Sequence, residues 1–166
     1  MAVRFSLDLL RSGTTERLGA SQRARLKAKM RDMSAAELVR AVARRGETAV
    51  YRASTSFLGE IRDRVVLTAG SAVDADAGIA AALGLAGSAR QAVDGYTGKD
   101  GAAQLIDRYF LTPDPGGNVT LRLAEVPPDG RVADLVTVAV DLAASLDVRE
   151  RAAGLALIDG RLAGLR

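Results

Sequence analysis

Short β-rich runs and longer segments of helical period alternate along this chain of 166 residues. The clearest local pattern spans residues 105–125. There a helix end leads into the apolar run Tyr109-Phe110-Leu111, and the cluster Pro113-Asp114-Pro115-Gly116-Gly117-Asn118 reverses the chain. Val119-Thr120-Leu121-Arg122-Leu123 then leaves with alternating apolar positions. Proline fixes φ, while Gly and Asn accept the positive φ of tight reversals, so this spacing predicts a β-hairpin.

Around it the same reasoning gives an ordered set of elements. FSLDLL near the N-terminus suits either a short strand or a helix, and a loop follows to about residue 20. Residues 21–32, SQRARLKAKMRD, are helix formers throughout, with Leu26, Met30 and Met33 on one stripe and Arg23, Lys27 and Arg31 on another. Ser34-Ala-Ala-Glu37 is a capping box opening a second helix, which runs to about Arg45 with Gly46 closing it. A strand is expected over 49–53, a helix over 56–63 and a buried strand over 64–69. Gly70-Ser71 reads as a break before an Ala-rich helix over 74–85, with Asp74 and Asp76 in its first turn. Residues 90–96 read as a strand and 97–108 as a helix. After the Pro-Pro loop at 126–130, an apolar run enters a buried helix. A cap at Asp147 starts the last helix, whose seam is set by Val148, Leu155 and Leu162 together with Arg151, Ile158 and Leu165.

The fold class is therefore α/β in the broad sense, α+β in detail. It is a mixed sheet of about four or five strands with packed helices, preceded by a basic helical segment. The expected division is a helical segment over 1–48 and an α/β sensor or interaction domain over 49–166. At this length roughly two thirds of the unfolded surface can be buried. Apolar residues make up 48% of the chain and aromatics 4%, so the core must come from Ala, Leu and Val.

Composition narrows the chemistry. With no Cys and no His there is no thiolate, no imidazole base and no usual zinc ligand, which removes most enzyme classes and the Ser-His-Asp triad. No catalytic, metal-binding or cofactor-binding residue is assigned, and the reading is non-enzymatic. Gly70-Ser71 followed by Asp74 and Asp76 offers a nucleotidyltransferase-like alternative, with two carboxylates for a metal ion. The acids follow too closely for that arrangement and fit a helix start instead. Thr97-Gly-Lys99-Asp100 lacks the glycine and the Lys-Ser/Thr order of a phosphate loop.

Charge is the most informative remaining signal. Residues 1–48 carry 11 Lys/Arg and 5 Asp/Glu, net +6, and residues 49–166 carry 12 and 15, net −3, which together give the overall +3. Concentrated positive charge points to a polyanionic partner. The candidate nucleic-acid contacts are Arg23, Lys27, Arg31, Arg40 and Arg44. The second helix offers Glu and Arg but no Asn, Gln, Ser or Thr for base edges, so phosphate contact is favoured over sequence readout. The N-terminal residues do not form a secretory signal, and the weakly polar run at 78–87 is far short of the roughly 20 residues that span a bilayer. A cytoplasmic protein with no membrane partner is expected.

Three stretches carry a resemblance: RVVLTAGSA (64–72), AVDGYTGKDGAAQLIDRYFLTPDPGGNVTLRL (92–123) and VAVDLAASLDVRERAAGLALID (138–159). Over about residues 64–159 the chain resembles the C-terminal region of actinobacterial helix-turn-helix regulators related to type IV, abortive-infection antitoxins. The resemblance implies a bacterial transcription regulator or the antitoxin of a toxin-antitoxin system, contacting DNA or a toxin. In that group a winged helix-turn-helix precedes this region, whereas here only some sixty residues do, with no clear three-helix unit. The alternative is a pure protein-interaction module, with the basic face docked on an acidic partner and a homodimer formed through the C-terminal helix.

Overall fold

The computed structural model describes residues 2–15, 18–42, 47–87 and 90–165. In order, it contains α1 (Ala2–Ser12), α2 (Ala20–Arg31), α3 (Ala35–Val42), β1 (Glu47–Arg52), a 3-10 turn (Thr55–Phe57), α4 (Leu58–Arg62), β2 (Val66–Leu67), α5 (Ala69–Ala75) and α6 (Ala77–Leu83). The order continues with β3 (Val93–Thr97), α7 (Lys99–Tyr109), β4 (Thr112–Pro113), β5 (Val119–Leu123), α8 (Leu135–Leu142) and α9 (Val148–Ala163). The class is α+β, with a five-stranded mixed sheet as expected. No described helix is long and apolar enough to cross a membrane.

The chain forms two compact units. One comprises residues 46–134 and holds the sheet; the other joins residues 1–45 to 135–166. The sequence reading kept all of 49–166 in one body, but α8 and α9 group with the first three helices. The physical reason lies in α8, whose residues from Val136 to Leu142 are all buried. A helix buried on every side needs neighbours around it, and α1 and α9 pack on it within its own unit.

In the sheet unit the strand order is β2-β3-β5-β1-β4, with β3 and β5 parallel and the other pairs antiparallel. Side chains alternate across a strand, so Val93, Val119 and Leu121 fall on one face, where Ile61, Leu105 and Tyr109 share their buried cluster. Tyr109 is held by more than burial. Its hydroxyl accepts from Arg64 Nε at 2.9 Å and donates to Glu60 Oε2 at 3.0 Å, and its ring lies 5.5 Å from that of Phe57.

The hairpin does not form. β4 and β5 are not paired with each other: both bond to β1, which lies between them, through Tyr51–Pro113 on one side and Tyr51–Val119 on the other. The turn-forming residues carry the chain across the end of β1 instead of back along β4. Gly117 makes the crossing possible, because a Cβ there would overlap the carbonyl of Tyr51 and lie 2.9 Å from the amide nitrogen of Arg52. Hydrogen bonds lock the crossing. Asp114 Oδ2 accepts from Arg52 Nε at 2.9 Å, and Asp114 Oδ1 accepts from the Gly116 amide at 2.8 Å. Asn118 extends the ladder with its side chain, accepting from the Ala53 amide at 2.8 Å and donating to its carbonyl at 3.0 Å. The expected strand at 109–111 is absent: Tyr109 ends α7, and Phe110 caps it with φ of 51°.

Two neighbouring expectations also shift. The strand over 64–69 shortens to Val66–Leu67, because the Thr68 carbonyl already accepts the first helical bond, from Ala72. Gly70 and Ser71 lie inside α5 and do not break the chain there. The helix expected over 74–85 divides at Asp76, whose carboxylate accepts from the amides of Gly78 at 2.8 Å and Ile79 at 3.0 Å and so starts α6.

In the helical unit the caps fall where the sequence places them. Ser34 and Glu37 form the reciprocal box, with the Ser34 amide donating to Glu37 Oε2 at 2.9 Å and the Glu37 amide donating to Ser34 Oγ at 3.3 Å. Asp147 accepts from the amides of Arg149 and Glu150 at 2.9 and 3.1 Å. The buried stripe of α9 is not the expected seam, however. It runs through Glu150, Gly154, Ile158 and Leu162, while Val148 is exposed. Gly154 sets a close crossing with α8, since a Cβ there would overlap the Ala139 carbonyl and lie 2.7 Å from the Ala143 amide nitrogen.

Candidate nucleic-acid interface

Helix α2 carries Arg23, Arg25, Lys27, Lys29 and Arg31 in twelve residues with no carboxylate among them, and Met30 is its one buried residue. With 3.6 residues per turn, positions three, four and seven apart share a side. Arg23, Lys27 and Met30 therefore lie together, and both cations are half-buried beside the packed Met30. The sequence reading separated the Met stripe from the Arg23–Lys27 stripe, but the helical period merges them. Arg25 and Lys29, four apart on the opposite side, are exposed; spacing alone could have found them.

The remaining candidates divide. Arg31 is exposed on α2, and its Nε donates to the carbonyl of Leu165. Arg23 Nη1 donates to the Thr15 carbonyl at 3.2 Å, and so ties the head of α2 to the segment after α1. Arg40 is exposed on the outward side of α3, with Nε 3.3 Å from the Ala36 carbonyl. Arg44, with its neighbour Arg45, lies outside the described residues. The structure thus places Arg31 and Arg40 at the surface and adds Arg25 and Lys29, while Arg23 and Lys27 stand partly inside.

Electrostatically, what matters is whether this charge is neutralised internally. Among the described residues, no ion pair joins Arg23, Arg25, Lys27, Lys29, Arg31 or Arg40 to a carboxylate. The nearest acid in this region with a resolved preference is Glu37. Its carboxyl is held below the usual range by the Ser34 amide, then by the Ser34 hydroxyl and the charge of Arg40. Glu37 thus caps α3 as a carboxylate. The backbone carbonyls that Arg23, Arg31 and Arg40 engage orient the guanidinium groups without removing their charge.

The alternative chemistry has different surroundings. Asp76 is committed to the start of α6, and Asp74 lies in the last turn of α5. Among the described residues, no group of three acidic side chains is placed to hold a metal ion. Asp94 and Arg122 form a two-pronged pair at 2.7 and 2.9 Å across β3 and β5, and the Asp94 amide donates to Ser71 Oγ at 2.9 Å. This pair joins strand to strand and strand to helix.

The chain was compared with known protein families, curated proteins and solved structures, and no family, curated protein or solved structure matches it.

Proposed function

We propose that this chain is a non-enzymatic bacterial regulatory or antitoxin-like protein of the cytoplasm, and that α2 with Arg40 in the last turn of α3 contacts the phosphate backbone of DNA. One observation carries the reading: α2 holds five cations, no acid and a single buried residue, and none of those cations is paired with a carboxylate among the described residues. A helix that contributes so little to its own core turns the charges of Arg25, Lys29 and Arg31 to solvent, where they attract polyanions. The resemblance of residues 64–159 to antitoxin-type regulators supports the same class. A gel-shift titration across salt tests it: binding at low salt that weakens steeply as salt rises is expected, and absence of binding at low salt overturns it.

The second reading, a protein-interaction module, draws on a separate observation. Leu146 and Val148, two residues apart at the α8–α9 turn, are 96% and 69% exposed, so two large apolar side chains stand open to solvent at one turn. The α9 stripe proposed as a dimer seam is occupied inside the unit, so a partner would meet this turn and not the helix face. Light scattering on the chain alone and with DNA distinguishes the two readings.

A further inference from the structure

Building on that proposed function, we infer that the ligand of α2 is a duplex, gripped through its phosphates without regard to base sequence, and that Arg25 and Lys29 make the principal contacts. The outward side of α2 presents Ser21, Ala24, Arg25, Ala28, Lys29 and Arg31. Arg25 and Lys29 are one turn apart, roughly 6 Å along the axis, with Ser21, Ala24 and Ala28 beside them, so their long side chains stand clear of that side and can reach a phosphate wall. Arg23 and Lys27, half-buried beside Met30, are directed back toward the unit.

Three features select the duplex. Proteins that hold single strands without sequence preference stack the bases on aromatic rings, yet residues 1–45 and 135–166 contain one aromatic residue, Phe5. Reading bases needs hydrogen-bonding side chains that converge on an edge. Here the Gln22 side-chain oxygen accepts the Gly19 amide at 3.3 Å and Glu37 is bound to Ser34, so the group beside Arg25 on this side is the short Ser21 hydroxyl, one turn away, too little to converge on a base edge. A lipid surface requires large apolar side chains facing outward beside the cations; on α2 Met30 is buried, Leu26 is half-buried, and the exposed apolar residues are alanines. A duplex, with one negative charge per roughly 1.7 Å of axis, is the polyanion this surface fits.

The experiment measures fluorescence anisotropy of two labelled duplexes of unrelated sequence and of one single strand, with the full chain, between about 50 and 200 mM salt. Three variants accompany it: Arg25→Gln with Lys29→Gln, the charge-conserving Arg25→Lys with Lys29→Arg, and a charge-matched control, Lys99→Gln with Arg149→Gln. All these side chains are exposed, and thermal melting checks that each variant folds like the parent. The expected result is equal binding of both duplexes, weaker binding of the single strand, and a salt slope about two units shallower in the α2 glutamine variant alone. Equal or tighter binding of the single strand, a strong preference for one duplex, or equal losses in the α2 and control variants overturns this inference while leaving nucleic-acid contact standing. No binding to any of the three, or binding only to anionic vesicles, overturns both.

Discussion

Gly117 passes over Tyr51 so closely that the smallest side chain added at residue 117 would overlap the Tyr51 carbonyl. The obstruction is backbone on both sides, so no rotamer change relieves it. Gly117→Ala must therefore either lift the loop from β1 or break the Asn118–Ala53 pairing that follows it. We expect a loss of about 3 kcal/mol or more, at the upper end of overpacking costs. Urea unfolding checks this, and a variant as stable as the parent would show that the crossing is not as described.

A second close approach gives a competing-effects test at Gly154. Alanine inside a helix is favoured over glycine by about 1 kcal/mol through backbone entropy. Here the added methyl meets backbone of Ala139 in α8 and of Ala143 just past its end, which cannot yield without separating the helices. Packing should win: Gly154→Ala is expected to lower stability by about 1–3 kcal/mol, and Gly154→Val by more. Thermal melting of both variants against Gly160→Ala, where nothing lies within 4 Å, isolates the packing effect.

Phe110 runs the other way. It caps α7 in the left-handed region at φ of 51° while its side chain is 81% exposed. Glycine takes that conformation without the Cβ penalty of about 1–2 kcal/mol, and little buried area is lost with the ring. Phe110→Gly is expected to stabilise the fold by about 1 kcal/mol, read as a rise of a few degrees in Tm. A fall in Tm would mean that the exposed ring contributes to packing.

Acid should weaken both units through identifiable groups. The Asp114 carboxyl is held below its usual range first by the Gly116 amide and then by Arg52, and Glu37 is lowered by Ser34. A pKa depressed by folding contributes stability that is present above the ordinary carboxylate range and is lost as pH falls through the folded-state value. The urea midpoint should therefore fall as pH drops below about 4. Asp114→Asn with Glu37→Gln should flatten that decline, and an equally steep decline in the double variant would assign it to other carboxylates.

Much of the local structure was legible because its causes are local. The Ser34–Glu37 box and the Asp147 cap each depend on residues within one turn, so their sequence signatures translate directly. The hairpin failed for the opposite reason. Pro113 to Asn118 have true turn chemistry, but the strand that occupies the space beside β5 is β1, some seventy residues upstream, and local spacing carries no trace of it. The candidate interface was legible in charge and misplaced in detail. Helix α2 was recognised as basic, while the side it turns inward followed from Met30, which draws Arg23 and Lys27 with it. The α9 stripe was hidden because two of its members are not apolar: Gly154 is chosen for closeness, and Glu150 is buried against Ser145 at 2.6 Å.

The helical unit is assembled from opposite ends of the chain, and this gives its formation an order in time. During synthesis, α1 to α3 emerge first but have nothing to close against until α8 and α9 have left the ribosome; the sheet unit, contiguous in sequence, can collapse meanwhile. A ribosome stalled anywhere before residue 135 would thus hold a cationic segment without α8 and α9 to pack against.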